Sequence, residues 1–102
     1  MAKADALAGL AHILIKMFRH IQRRQAKYNA TCIEQGWPIA LLDFTAVGIG
    51  RKFKLSEALT EGHLAKLVSA GLCTRHEMPS SYGMLTVYRL AEQVEAIHYL
   101  SD

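Results

Sequence analysis

One stretch in the second half of the chain constrains the fold most: a helical pattern that runs directly into two β-prone segments. The helical part reads SEALTEGHLAKLVSAG. Ser56 suits a helix N-cap, and Gly71 suits the left-handed conformation that ends a helix. The apolar side chains recur at close to 3.6 residues, which places them on one face: Leu55, Leu59, Leu64, Leu67, Val68 and Leu72. The sequence therefore predicts a helix over residues 56–71.

Beyond Gly71 the apolar pattern changes to the two-residue period of a β-strand. LCTRHE and MLTVYRL are rich in β-branched and aromatic residues. Between them lie turn-forming residues, namely Pro79, Ser80, Ser81 and Gly83. A hairpin over residues 73–90 is predicted. One face is expected to carry Thr74, His76, Thr86 and Tyr88, and the other Cys73, Arg75, Leu85 and Val87.

This order of helix and hairpin resembles the end of a winged helix-turn-helix domain, as in the MarR-like and PadR-like regulators. LAKLVSAGL, at residues 64–72, matches the L-x-x-L-x-x-x-G-L pattern that often ends their recognition helix. YRLAE, at residues 88–92, is similar to their second wing strand leading into the next helix. The resemblance covers roughly the C-terminal half of the chain. It implies a mainly α fold with a small β-hairpin wing, and binding to double-stranded DNA.

The length of 102 residues fits one domain, so we expect a single winged-helix domain over residues 1–102. Residues 1–29 are predicted to hold a long N-terminal helix that begins near residue 4, followed by a break or short helix at 29–36. The helix-turn-helix region is placed at 37–72, with a short buried helix over 38–44. TAVGIGRKFK would be its first helix, or a distorted turn, because Gly48 and Gly50 each cost about 1 kcal/mol relative to Ala. Residues 91–102 are predicted to form a C-terminal helix.

The N-terminal segment carries an apolar stripe at alternating spacings of three and four residues. A hydrophobic share of 51% is high for so small a domain, which suggests that part of the apolar surface is covered by a second copy. The stripe either packs on the core of its own domain or forms a homodimer interface. The candidate interface residues are Leu7, Leu10, Leu14, Met17 and Ile21.

Basic residues are concentrated in the first half of the chain, although the net charge is only +3. The face of the N-terminal helix opposite the apolar stripe carries Lys16, Arg19, His20, Arg23, Arg24 and Lys27. This face is either an ordinary solvated surface or a row of phosphate contacts. The residues singled out as phosphate-facing are Arg19, Arg23, Arg24 and Lys27.

A second basic group, Arg51, Lys52 and Lys54, lies just before the expected recognition helix. There its cations and the N-terminus of the helix at Ser56 can meet phosphates together. The other predicted DNA contacts are Glu57, Thr60, Glu61, His63 and Lys66 on the helix, and Arg75, His76 and Tyr82 on the wing. Glu57 and Glu61 depart from the family pattern, because carboxylates repel phosphates, although Glu can accept a hydrogen bond from cytosine.

We expect no catalytic residue, no bound metal and no cofactor. GIGRKF contains only a G-x-G fragment of a dinucleotide fingerprint. Cys73 and His76 are the nearest pair of metal-ligand type, and they would point to opposite faces of a strand. The apolar segment 7–21 contains His12, Lys16 and Arg19 and is shorter than the ~20 residues of a membrane span. We expect reduced thiols at both cysteines, a cytoplasmic location and no membrane contact.

The sequence thus favours a homodimeric winged-helix protein that binds double-stranded DNA as a transcriptional regulator or accessory factor. A protein-interaction module that uses the same scaffold without DNA is the alternative, and the acidic residues Glu57 and Glu61 favour it. A small enzyme is the third and weakest reading. Neither the target sequence nor a small-molecule effector can be read from the residues.

Overall fold

Three helices are followed by one antiparallel hairpin in the computed structural model, which describes residues 9–91. The helices are α1 (His12–Gln35), α2 (Ala46–Phe53) and α3 (Glu57–Ser69). The strands are β1 (Cys73–Ser80) and β2 (Gly83–Leu90). The chain is therefore a small α/β domain, and its order of elements agrees with the predicted helix pair and hairpin. The predicted C-terminal helix lies outside the described residues, apart from Ala91.

Helix α1 ends later than predicted, and its predicted start near residue 4 lies outside the described residues. Gly9 and Leu10 form a turn and a bend, so the described part of the chain becomes helical only at His12. The expected break or short helix at 29–36 is wrong, because no Pro or Gly interrupts α1 before Gly36 and the core face continues through Asn29 and Cys32. Gly36 then ends the helix with a φ of 73°, a left-handed conformation that suits glycine.

The segment predicted as a helix over residues 38–44 is extended instead. The buried side chain of Gln25 on α1 holds it by accepting from the Leu42 N–H at 2.8 Å and donating to the Ala40 carbonyl at 3.0 Å. Phe44 and Tyr88 then exchange backbone hydrogen bonds of 2.8 and 2.7 Å. These bonds fall on alternate residues, as an extended chain requires. A short apolar run cannot by itself distinguish a helix from a strand, and here the tertiary bonds decide.

Helices α2 and α3 confirm the predicted helix pair. The Thr45 side chain caps α2 by accepting from the Gly48 N–H at 3.1 Å, and Ser56 caps α3 by accepting from the Leu59 N–H at 3.2 Å. A Cβ atom on Gly50 would lie 2.8 Å from the Leu55 carbonyl oxygen. Gly50 therefore lets the two helices approach closely, which overcomes its low helix propensity.

The core joins α1 to α2, α3 and the hairpin, and it includes most of the apolar stripe. Leu14, Met17 and Ile21 are buried within this single chain against Leu64, Leu67 and Tyr88, among others. The assignment of these three side chains to a dimer interface is therefore wrong, and the alternative that they pack on their own core is confirmed. Leu10 is half-buried against the same core, and Leu7 lies outside the described residues.

The hairpin is confirmed, but its predicted faces are not. A two-residue turn at 81–82 sets a register that pairs Arg75 with Tyr88 and His76 with Val87. Directly paired residues share a face, so Arg75 lies on the side of Tyr88, and His76 on the side of Val87. The alternation within each strand agrees with the prediction, but the relative register of the two strands depends on the turn length.

Candidate nucleic-acid interface

The two basic segments of the sequence meet in a groove between α1 and α2. The groove has a volume of about 520 Å³. We call it the basic groove; its lining consists of Lys16, Arg19, His20, Arg23, Arg24, Lys52 and Phe53. The lining contains no Asp or Glu. Five permanent cations therefore share one concave surface whose described lining holds no acidic side chain to offset their charge.

The cations of the basic groove are available to a ligand. Lys16, Arg23, Arg24 and Lys52 are exposed, and Arg19 is half-buried. Within residues 9–91 the ion pairs are Arg75–Glu77 and Arg89–Asp43, so neither involves the groove. A helix rises 1.5 Å per residue, so the row from residue 16 to residue 24 is about 12 Å long. That length corresponds to about three to four base pairs of a duplex.

His20 lies at the floor of the basic groove. Its pKa is lowered from the usual value, first because the ring is partly buried and then because Lys52, Arg24 and Arg23 repel a proton. The ring packs edge-on against Phe53 of α2. The neighbouring cations therefore disfavour a further positive charge at His20. An anion bound in the groove would offset this repulsion.

The remaining predicted phosphate contacts lie outside the lining of the groove. Arg51, Lys54 and Lys27 are exposed, the first two around the C-terminus of α2. Lys54 adopts a left-handed conformation with a φ of 60° and connects α2 to the N-terminus of α3. Ser56 follows, with its hydroxyl engaged as the cap of α3. These residues can extend a positive surface from the groove towards α3.

Helix α3 presents a surface unlike that of a typical DNA-recognition helix. Glu57 and Glu61 are exposed near its N-terminus. Thr60, predicted as a DNA contact, is fully buried, and its hydroxyl donates to the Ser56 carbonyl at 2.8 Å. That prediction is therefore wrong. His63 is half-buried, whereas Lys66 is exposed at the far end of the helix beside the start of α1.

On the hairpin, two of the three predicted contacts have partners within their own strand. Arg75 forms an ion pair with Glu77 at 3.2 Å, and both side chains are about half exposed. The ring of His76 lies 2.8 Å from the hydroxyl of Thr74. Tyr82, at the turn, is 98% exposed and free to meet a partner.

A second groove, which the sequence reasoning missed, lies between α2, α3 and the outer edge of β2. We call it the acidic groove; its volume is about 190 Å³, and its lining includes Val47, Glu57, Glu61, Met84, Leu85 and Thr86. The exposed carboxylates were visible in the sequence. Their position against β2 depends on how α3 packs on the hairpin, so no local pattern could have revealed it.

Other classes of site find no support in the described residues. Cys32 and Cys73 are both buried free thiols. Burial raises the pKa of the Cys73 thiol to about 12, which opposes formation of a reactive thiolate. No three His, Cys, Asp or Glu side chains within residues 9–91 are grouped to hold a metal ion. Over the same residues, no helix has the length and apolar character needed to cross a membrane.

Comparisons of the chain with protein-family models, curated proteins and solved structures found no match.

Proposed function

We propose that this domain binds double-stranded DNA through the basic groove, as a winged-helix regulator or accessory factor. The observation that carries the proposal is the convergence of Lys16, Arg19, Arg23 and Arg24 of α1 with Lys52 of α2 on one surface. A duplex presents a dense row of phosphates, and the release of condensed counterions makes such a surface bind strongly at low salt.

A duplex fits this surface better than a single strand does. Proteins that bind single strands stack bases on free aromatic faces. The aromatic side chain in the groove is Phe53, which is half-buried and in contact with His20. The contacts that the groove offers are therefore to phosphates, which position a duplex but carry no sequence information. Weak sequence preference is the expected consequence.

The same proposal accounts for the acidic N-terminus of α3. Glu57 and Glu61 line the acidic groove beside β2 and are absent from the lining of the basic groove. A duplex on α1 and α2 therefore avoids the repulsion that insertion of α3 into the major groove would cause. Docking by α1 and the C-terminus of α2 is the mode that we favour over insertion of α3.

An NMR titration of the full chain with a short random-sequence duplex tests this proposal. Amide signals of residues 16–27 and 51–54 should shift or broaden first. The hairpin provides an internal control, because its signals should change little. If the changes concentrate instead on residues 57–66 and 75–82, the docking mode is wrong. If no signal changes at low salt, the DNA-binding function is wrong.

Homodimerisation stays a prediction, although the burial of Leu14, Met17 and Ile21 removes them from the predicted interface. Ile33, Trp37 and Ile39, at the end of α1 and just after it, are exposed apolar side chains that a second copy would cover. A dimer would double the number of phosphate contacts. Light scattering at micromolar concentration should give about twice the chain mass of 11.4 kDa, and a monomer throughout that range would contradict the prediction.

A further inference from the structure

The two outer edges of the hairpin differ in how well they are protected. Tyr88 directs both its N–H and its C=O away from β1, since both bond to Phe44. In an antiparallel strand, alternate residues point their backbone groups to the same side. Thr86 and Met84 therefore point theirs to that outer edge as well. The chain leaves this edge after Thr45, where α2 begins, and within residues 9–91 no other backbone group bonds to Thr86 or Met84 there.

The outer edge of β1 carries the features that prevent further pairing, and the edge of β2 does not. Arg75, Glu77 and Pro79 pair with Tyr88, Thr86 and Met84 respectively, so they are the outward-directed residues of β1. Pro79 lacks an N–H, and the ion-paired Arg75 and Glu77 place charge along the strand beside it. Proline and charge at an edge block strand addition. Met84 and Thr86 provide neither a proline nor a charge at the edge of β2.

The open edge of β2 coincides with the acidic groove. Val47 and Met84 are 41% and 66% exposed, and they present apolar surface at the groove. Glu57 and Glu61 stand on the α3 side of the same groove, and neither forms an ion pair with a described residue. The site thus combines free backbone donors and acceptors, an apolar contact and uncompensated negative charge.

We propose that an extended, lysine- or arginine-containing segment of a partner protein binds here as a third strand on β2. Its backbone would bond to Thr86 and Met84, continuing the pairing that Phe44 begins at Tyr88. Its cationic side chains would meet Glu57 and Glu61, and an apolar side chain would cover Val47 and Met84. In strand addition the main chain supplies affinity, and side-chain complementarity supplies specificity. This site is separate from the basic groove, so it does not depend on DNA binding.

The direct test is amide hydrogen exchange of the full chain, measured by NMR with and without a short peptide in which lysine alternates with threonine and valine. Exchange at Thr86 and Met84 should be fast in the free protein. At about 90% occupancy it should slow about tenfold, because only the free fraction exchanges. The amide of Val87 bonds within the hairpin and serves as the control. Slow exchange at Thr86 and Met84 without peptide would mean that the chain or a second copy already covers the edge, and would overturn the proposal.

Variants of the peptide separate strand addition from simple charge attraction. Only alternate amides of an added strand face β2. Methylating one alternating set of peptide amides should abolish binding, whereas methylating the other set should leave it nearly unchanged. Glutamate in place of lysine should also abolish binding. Equal effects of the two methylation patterns, or equal binding of the glutamate peptide, would overturn the proposal.

Two changes in the protein test its side of the contact. Thr86→Pro removes an outward N–H without breaking a hairpin bond, so it should weaken peptide binding about tenfold or more, while Thr86→Val should not. The double change Glu57→Gln and Glu61→Gln should also weaken binding and make it less sensitive to salt. Full affinity in both Thr86→Pro and the double variant would exclude this edge. The peptide-methylation result decides the matter if Thr86→Pro fails to fold.

Discussion

The ring of His20 on α1 stands edge-on to the ring of Phe53 on α2, with centroids 5.6 Å apart and planes at 86°. This contact fixes the C-terminus of α2 beside the exposed face of α1. Lys52, the residue before Phe53, is thereby brought into the row of α1 cations and contributes to the lowered pKa of His20. One aromatic contact thus joins the two basic segments of the sequence.

His20 should report on occupation of the basic groove. In the free protein its pKa should lie below 6.5, because of burial and the nearby cations. Phosphates placed in the groove offset that repulsion, so a bound duplex should raise the pKa. Duplex affinity should then increase as the pH falls from 7 through the pKa of the complex, and His20→Gln should lose that increase. NMR titration of the His20 ring with and without duplex measures both values, and a pKa unmoved by duplex would contradict a phosphate in the groove.

The same lowered pKa predicts a loss of stability in acid. A histidine whose folded-state pKa lies below its unfolded value contributes stability above pH 6.5, and that contribution falls as the pH drops towards the folded-state pKa. Duplex binding should reduce this loss. Thermal unfolding between pH 7 and pH 5 measures this effect: the melting temperature of the wild type should fall more than that of His20→Gln.

Gly50 and Gly62 should respond oppositely to replacement by alanine. A Cβ on Gly50 would meet the Leu55 carbonyl oxygen at 2.8 Å and the Thr60 hydroxyl at 2.9 Å. Gly50→Ala should therefore lower the free energy of unfolding by about 1–3 kcal/mol. Gly62 lies exposed within α3 with nothing within 4 Å of a Cβ, so Gly62→Ala should raise it by up to about 1 kcal/mol. Urea unfolding of both variants checks the sign, and a stabilising Gly50→Ala would refute the close helix crossing.

Gln25 and Gln22 form a second matched pair, since both are buried on α1. Gln25→Met would leave the Leu42 N–H and the Ala40 carbonyl without their partner, at a cost of about 1–3 kcal/mol. The Nε2 of Gln22 has no hydrogen-bond partner in the described structure, so Gln22→Met should be neutral or stabilising. Calorimetric unfolding of the two variants compares them directly. A similar loss in both would mean that the Gln25 bonds do not hold the segment 38–44 extended.

The elements that could be predicted from the sequence are those that a local signal determines. Ser56 and Gly71 marked the ends of the helical pattern, and α3 begins after the first and ends just before the second. The change of period after Gly71 located the hairpin. Caps, turns and periodicity are properties of neighbouring residues, so one segment is enough to recognise them.

Tertiary contacts explain the wrong predictions. The run from Pro38 to Phe44 is extended because Gln25 and Tyr88, distant in sequence, supply its hydrogen bonds. Leu14 and Met17 belong to the core because α3 and the hairpin fold against them, which periodicity alone could not distinguish from a dimer contact. For the candidate site, the sequence identifies the basic residues. It does not show that Lys52 of α2 lies beside the cations of α1, because that depends on how the two helices pack.

The salt dependence of duplex binding tests the central claim most directly. Fluorescence anisotropy should compare the wild type with two double variants that each remove two positive charges. Lys16→Ala with Arg23→Ala alters the basic groove, whereas Lys66→Ala with Arg75→Ala alters α3 and the hairpin. We predict that the groove variant reduces the steepness of the fall of log K with log salt by about 1.8, from about 0.9 per lost phosphate contact, and that the second variant leaves the slope nearly unchanged. An unchanged slope in the groove variant, with a shallower slope in the α3 and hairpin variant, would contradict docking through the basic groove.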